Sequence, residues 1–118
     1  MAYVAKHRYA RIAPRKARLL ADMVRGRKVE DALVMLGFSK QRAGGMIAKV
    51  IKSAAANATE KEADSRLLVV TKCWVDPGPT IKRFQPKDRG KAYNIMKRTS
   101  HIVVEVDEKA DAKAEEKE

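Results

Sequence analysis

Residues 79–101 read PTIKRFQPKDRGKAYNIMKRTSH, and how this stretch folds decides the architecture. Lys82, Arg83, Lys87, Arg89, Lys91, Lys97 and Arg98 stand against a single acid, Asp88, a net of +6 over 23 residues. Pro86 and Gly90 bracket a turn at the midpoint, and the flanks suit extended backbone. The spacing predicts a long β-hairpin with its tip near Gln85–Gly90. At ~3.3 Å per residue, about ten residues a side would reach ~30 Å from a body. Such a ribbon is marginal alone in water. It carries too few apolar residues to fold onto a core, and its charges repel one another. A polyanion is the natural partner to hold it. The alternative is a solvated loop, but a structureless loop of this length is unusual inside a compact domain.

Outward from the arm lie two strands. Leu67–Val75 is rich in β-branched residues, and Ile102–Val106 puts Ile102, Val104 and Val106 on one face. Upstream, residues 3–12 alternate with period two and read as a strand or extended arm. Three helices are predicted between. The first runs from Pro14 to Arg25 with Ala17, Leu20, Ala21 and Val24 as its apolar stripe, and Gly26 as its stop. Its expected cap, Ala13, cannot accept the exposed N–H bonds as a Ser would. The second covers Val29–Leu36 and ends at Gly37. The third, Lys40–Thr59, starts behind Ser39 and carries Ala43, Met46, Ile47, Val50, Ile51, Ala54 and Ala58 along one side. Gly44 and Gly45 within it either admit another backbone closely or are simply poor helix formers. Residues 60–66 read as a loop. The expected fold is α+β: three helices packed on a small antiparallel three-stranded sheet, with a protruding hairpin arm. Residues 1–106 form one domain with its arm at 79–101, and 107–118 form an acidic, disordered tail.

Charge bounds the partners. The chain has 118 residues, with 26 Lys and Arg against 15 Asp and Glu, a net of +11. Residues 107–118 carry −3 of this, leaving +14 on residues 1–106. Nucleic acid is the first candidate partner and an anionic membrane surface the second. A single cysteine, Cys73, excludes an intrachain disulfide and fits a reducing compartment. No apolar run approaches the ~20 residues of a membrane span, and the N-terminus lacks the apolar core of a secretory signal. The simplest expectation is a cytoplasmic protein.

The residue types in the arm suit RNA. Arg forks onto phosphate oxygens and stacks on bases. Phe84 and Tyr93, interleaved with the cations, suit unpaired bases. Thr99, Ser100 and His101 offer hydrogen bonds to phosphate or the 2′-hydroxyl. Enzyme chemistry finds no footing: there is no phosphate-cradling glycine loop and no paired-carboxylate motif, and His7 and His101 lack acidic partners at helical spacing. No metal or cofactor is expected. Cys73 and Trp74 read as strand packing, and Asp76–Pro79 as a rigid bend into the arm. A DNA-binding architectural protein would also use a basic β-arm, but it should dimerise, and no dimer seam is visible.

The string GPTIKRFQPKDRGKAYNIMKRTSHIVVEV resembles the hairpin and last strand of the large-subunit ribosomal protein twenty-two family, in its bacterial form. RIAPRKARLLADMVRGRKVEDAL resembles the first two helices of that family, and KVIKSAAANA the end of its third. The resemblance spans Tyr9 to Val106. It implies a body on the outside of the large subunit near the mouth of the polypeptide exit tunnel. It also implies a hairpin running through rRNA to line that tunnel. Carried over by position, Lys82, Arg83, Lys87, Arg89, Lys91, Lys97 and Arg98 become rRNA contacts from the arm. Arg11, Arg15, Lys16 and Arg18 become contacts from the body. Gln85, Pro86, Lys87, Asp88, Arg89 and Gly90 become the tunnel tip. Implied partners are 23S-type rRNA, neighbouring large-subunit proteins and the nascent polypeptide, with no membrane and no homo-oligomer. The family commonly has Ser where Ala13 stands, a small residue at Asp88, and Ala at Gly44–Gly45.

Overall fold

Strand β1 (Tyr3–Ala10) opens a computed structural model that describes residues 3–87 and 91–108. Helices α1 (Pro14–Val24), α2 (Val29–Phe38) and α3 (Arg42–Glu60) follow. A short 3-10 turn, Ser65–Leu67, leads into β2 (Leu68–Pro77), then β3 (Ile81–Lys87), β4 (Lys91–Lys97) and β5 (Ser100–Glu108). The sheet is antiparallel with β5 in the middle, in the order β1-β5-β2. The expected α+β fold is what forms. β5 takes the centre because Ile102, Val104 and Val106 supply a helix-facing row with no exposed side chain. Val103, on the other face, is only 4% exposed and stands in register between Lys6 and Trp74.

The core is built from small and branched residues. Ala17, Leu20, Ala21 and Val24 of α1 are buried, as are Ile47, Val50, Ile51, Ala54 and Ala58 of α3. Alanine-lined faces let the helices lie close to one another and to the sheet. Gly44 carries this furthest: a Cβ there would stand 3.1 Å from the Leu36 carbonyl oxygen. So Gly44 serves a close backbone approach of α2, whereas a Cβ at Gly45 would meet open space. Met46, expected on the buried stripe, is only partly covered.

Several boundaries differ from those expected. Gly37 does not stop α2, which continues to Phe38 and closes with the Ser39 N–H donating to Leu36 O at 3.2 Å. Gly37 keeps a negative φ and its Cβ position is open, so it is tolerated in a last turn. Ser39 therefore closes α2 instead of opening α3; its Oγ accepts from the Gln41 N–H at 3.3 Å, and α3 begins at Arg42. Arg25 is extended, which ends α1 at Val24, and Gly26 follows at φ +84°. That left-handed glycine turns the chain so that its N–H reaches Val70 O at 2.7 Å, while the Val70 N–H reaches Arg27 O at 2.9 Å. β5 runs two residues past Val106, and Asp107 is 2% exposed. The tail expected from 107 thus begins inside the sheet, and residues 109–118 lie outside the described residues.

Strands β3 and β4 pair only with each other, residue for residue from Ile81↔Lys97 to Lys87↔Lys91. Seven residues a side give a ribbon of ~23 Å. The radius of gyration, 17.3 Å, exceeds the roughly 13–14 Å of a compact chain this long, as a protruding arm requires. The paired strands run further toward the tip than expected. Gln85, Pro86 and Lys87 are strand residues opposite Tyr93, Ala92 and Lys91. Of the tip, Asp88, Arg89 and Gly90 lie outside the described residues.

Cys73 is 1% exposed on β2. Burial pushes its thiol up from 9.0 to about 11; the Arg25 cation opposes this and Asp22 adds to it. A raised acid pKa favours the folded state most below the unfolded value, near 9, and that advantage disappears as pH climbs to 11. The folded protein should therefore lose about 2–3 kcal/mol through Cys73 between these values. Urea unfolding of the chain and of Cys73→Ala across this range checks it; parallel pH profiles for the two would contradict the thiol's part.

Candidate nucleic-acid interface

Where β1 ends, three elements meet at the root of the arm. Arg11 follows β1, Lys16 sits on the first turn of α1, Arg42 opens α3, and Lys97 and Arg98 leave β4. These five cations line one cleft of about 920 Å³ together with Ile12, Ala13, Leu19, Gln41 and Ala43. No acid lines it. The starts of α1 and α3, at Ala13 and Gln41, open onto the same cleft with no side-chain cap and no acid in the first turn. Exposed N–H groups at a helix start carry partial positive charge, so they add to the cationic field. The arrangement suits a phosphate backbone crossing from body to arm.

The expected contact residues separate into two groups. Arg11, Arg15, Lys16, Lys82, Arg83, Lys97 and Arg98 are all exposed. Arg83 bonds its neighbour's carbonyl, Lys82 O, at 3.1 Å, which leaves most of its donors over. Lys87 and Lys91 are backbone register partners at the last rung of the ribbon.

The second group bonds backbone groups of the protein itself. Arg18 places Nε and a terminal nitrogen on Val75 O at 3.2 and 3.1 Å, tying α1 to β2. Thr99 and Ser100 are buried: the Thr99 hydroxyl donates to Pro79 O at 2.6 Å, and the Ser100 hydroxyl to Ile12 O at 2.6 Å. His101 accepts the Tyr9 N–H on Nδ1 at 3.1 Å. The hydroxyls of Thr99 and Ser100 and Nδ1 of His101 thus also fasten the root of the arm. The reason is position: the strand was expected to begin at Ile102 but begins at Ser100, which puts Ser100 within the sheet.

Two further arginines matter: Arg42, which the sequence does not single out, and Arg25, which it places on the basic face of α1. Arg42 donates to Arg11 O at 2.7 Å and brings α3 into the cleft; the cluster Lys40–Gln41–Arg42 was its only signal. Arg25 places Nε and a terminal nitrogen on Cys73 O at 3.2 and 2.6 Å and pairs with Asp22 at 3.0 Å. Arg18 on α1 and Arg25 at its C-cap, seven apart on one face, thus clamp the carbonyls of Val75 and Cys73, two apart on β2.

Among the described residues, no group of three His, Cys, Asp or Glu is placed to hold a metal ion, and no helix is long and apolar enough to cross a membrane. What decides identity is the extent of one match: the model of the ribosomal protein L22p/L17e family aligns with residues 5–107. The chain belongs to that family. The match starts in β1 and ends in β5, so it takes in the helices, the sheet, the basic cleft and the whole arm. As an L22p/L17e protein, the chain is a structural constituent of the large ribosomal subunit, a component of the translation apparatus with a non-enzymatic role.

Proposed function

We propose that this chain binds large-subunit rRNA through the cleft and the arm, and that it supports folding of that RNA during subunit assembly. The observation that carries the reading is the convergence of Arg11, Lys16, Arg42, Lys97 and Arg98 on one acid-free cleft at the root of a basic ribbon. The ribbon extends the same charge by ~23 Å, so body and arm offer one continuous track to a phosphate backbone. Neighbouring ribosomal proteins would complete its surroundings, in a cytoplasmic ribosome. The tip, Gln85–Gly90, would line the polypeptide exit tunnel and meet the nascent chain. Family membership supports the tunnel assignment.

Transcripts of large-subunit rRNA and duplex DNA of similar length, compared at matched salt, test the core of the proposal. Binding to rRNA should be tighter and should fall steeply as salt rises, because each phosphate contact releases condensed counterions. Equal competition by duplex DNA would refute the ribosomal assignment. Footprinting on the best-bound transcript then maps the track, with protection expected where cleft and arm lie.

A further inference from the structure

We propose that Tyr9 is a stacking platform for an unpaired rRNA base and that His101 is the residue that positions it, an inference that presumes the RNA-binding reading above. Tyr9 sits in a β-bulge, where the register of β1 against β5 shifts between His7 and Ala10. Its φ is +58°, a left-handed state that aromatic residues rarely adopt. Such a bulge position is met at least cost by glycine. The side chain does not repay the strain by packing inside, since Tyr9 is 62% exposed. A large ring in a strained backbone, presented to the outside, is explained by something outside that it touches.

The surroundings hold that ring still. The Tyr9 N–H donates to His101 Nδ1, and the two rings meet edge to face, 5.0 Å apart at 84°. The following residues are fastened in turn. The Ile12 N–H donates to Ala10 O at 2.8 Å, Arg42 holds Arg11 O, and Ser100 holds Ile12 O. Exposed cations flank the ring in sequence at Arg8 and Arg11, and Arg11 belongs to the cleft. A base turned out of the RNA would lay its face on Tyr9 while its phosphates meet these cations. Stacking of this kind tolerates any base, because every base has a π-face.

Three variants of the full chain, measured against the rRNA transcript bound best by the unaltered chain, test this. Tyr9→Gly suits the backbone and removes the ring, so it should fold at least as stably yet bind roughly tenfold or more weakly. Its salt slope should match the unaltered chain, since a stacking contact releases no counterions. Tyr9→Phe should bind within about twofold of the unaltered chain, because the π-face remains. His101→Ala should weaken binding, but adding it to Tyr9→Gly should cost nothing more, as expected of a residue acting through Tyr9. Unchanged affinity for Tyr9→Gly would overturn the platform while leaving RNA binding intact. Tyr9→Phe as weak as Tyr9→Gly would likewise overturn it, by assigning the effect to the hydroxyl. If the unaltered chain binds no transcript, the RNA-binding reading itself falls.

Discussion

Reversing Lys97 and Arg98 together to Glu should weaken binding to large-subunit rRNA about a hundredfold and leave the fold unchanged. Both side chains are exposed and line the cleft, and neither bonds any core element. A hydrogen bond to a charged group contributes about 1.5–3 kcal/mol. Two such contacts set an upper bound of roughly 3–6 kcal/mol, and solvent screening of exposed groups brings this down to about 2–3 kcal/mol. That is about two powers of ten in the binding constant. The slope of log affinity on log salt should shrink by about two contacts' worth. Circular dichroism should match the unaltered chain, and large subunits purified from cells carrying the variant should be depleted of it. Normal occupancy in those subunits would show that the two residues are not anchors.

Removal of residues 83–95, with a short Gly-Ser link from Lys82 to Met96, should leave a folded body that binds RNA poorly. Lys82 and Met96 are partners in the β3–β4 register, so a link of a few residues spans the gap. Among the described residues, the buried core draws on β1, the three helices, β2 and β5. The thermal midpoint should therefore move by only a few degrees. Arg83, Lys87, Arg89 and Lys91 leave with the segment. At near one unit of salt slope per phosphate contact, the loss should be about four. Loss of helical dichroism in the shortened chain would defeat the division into body and arm, because it would mean that the ribbon contributes to the core.

The helices and the sheet were legible because their signals are local and repeated. Five turns of spaced apolar residues in α3, and alternation in Ile102, Val104 and Val106, each fix a buried face. Boundaries were less legible. Whether Gly37 stops a helix or sits in its last turn depends on how α2 meets α3, and whether Ser39 opens or closes a helix depends on the same junction. The cleft was half legible. Arg11, Lys16, Lys97 and Arg98 stood out as charge clusters, yet nothing local says that Arg42 joins them from α3. The internal bonds of Thr99 and Ser100 were not legible, because a hydroxyl beside a basic run looks available until the partner carbonyls, Pro79 O and Ile12 O, come into view. Such partners lie 20 and 88 residues away along the chain, beyond the reach of any window of sequence.

The root of the arm is narrow. β3 and β4 share no ladder with the main sheet, and Gly78 and Thr99 bridge the gap. The Gly78 N–H reaches Thr99 O at 2.9 Å and the Thr99 hydroxyl reaches Pro79 O. A Cβ on Gly78 would stand 2.6 Å from that hydroxyl, so the two strands close up there only because residue 78 has none. In mechanical terms the ribbon is a lever. Its length is ~23 Å and its fulcrum is two strands wide, ~5 Å, so a sideways force at the tip is multiplied about four- to fivefold at the neck. That load falls first on the Thr99–Pro79 bond and then on Ser100 and Ile12, where it enters the core. Whatever pushes on the tip is felt by the body through two short backbone links and these few hydrogen bonds.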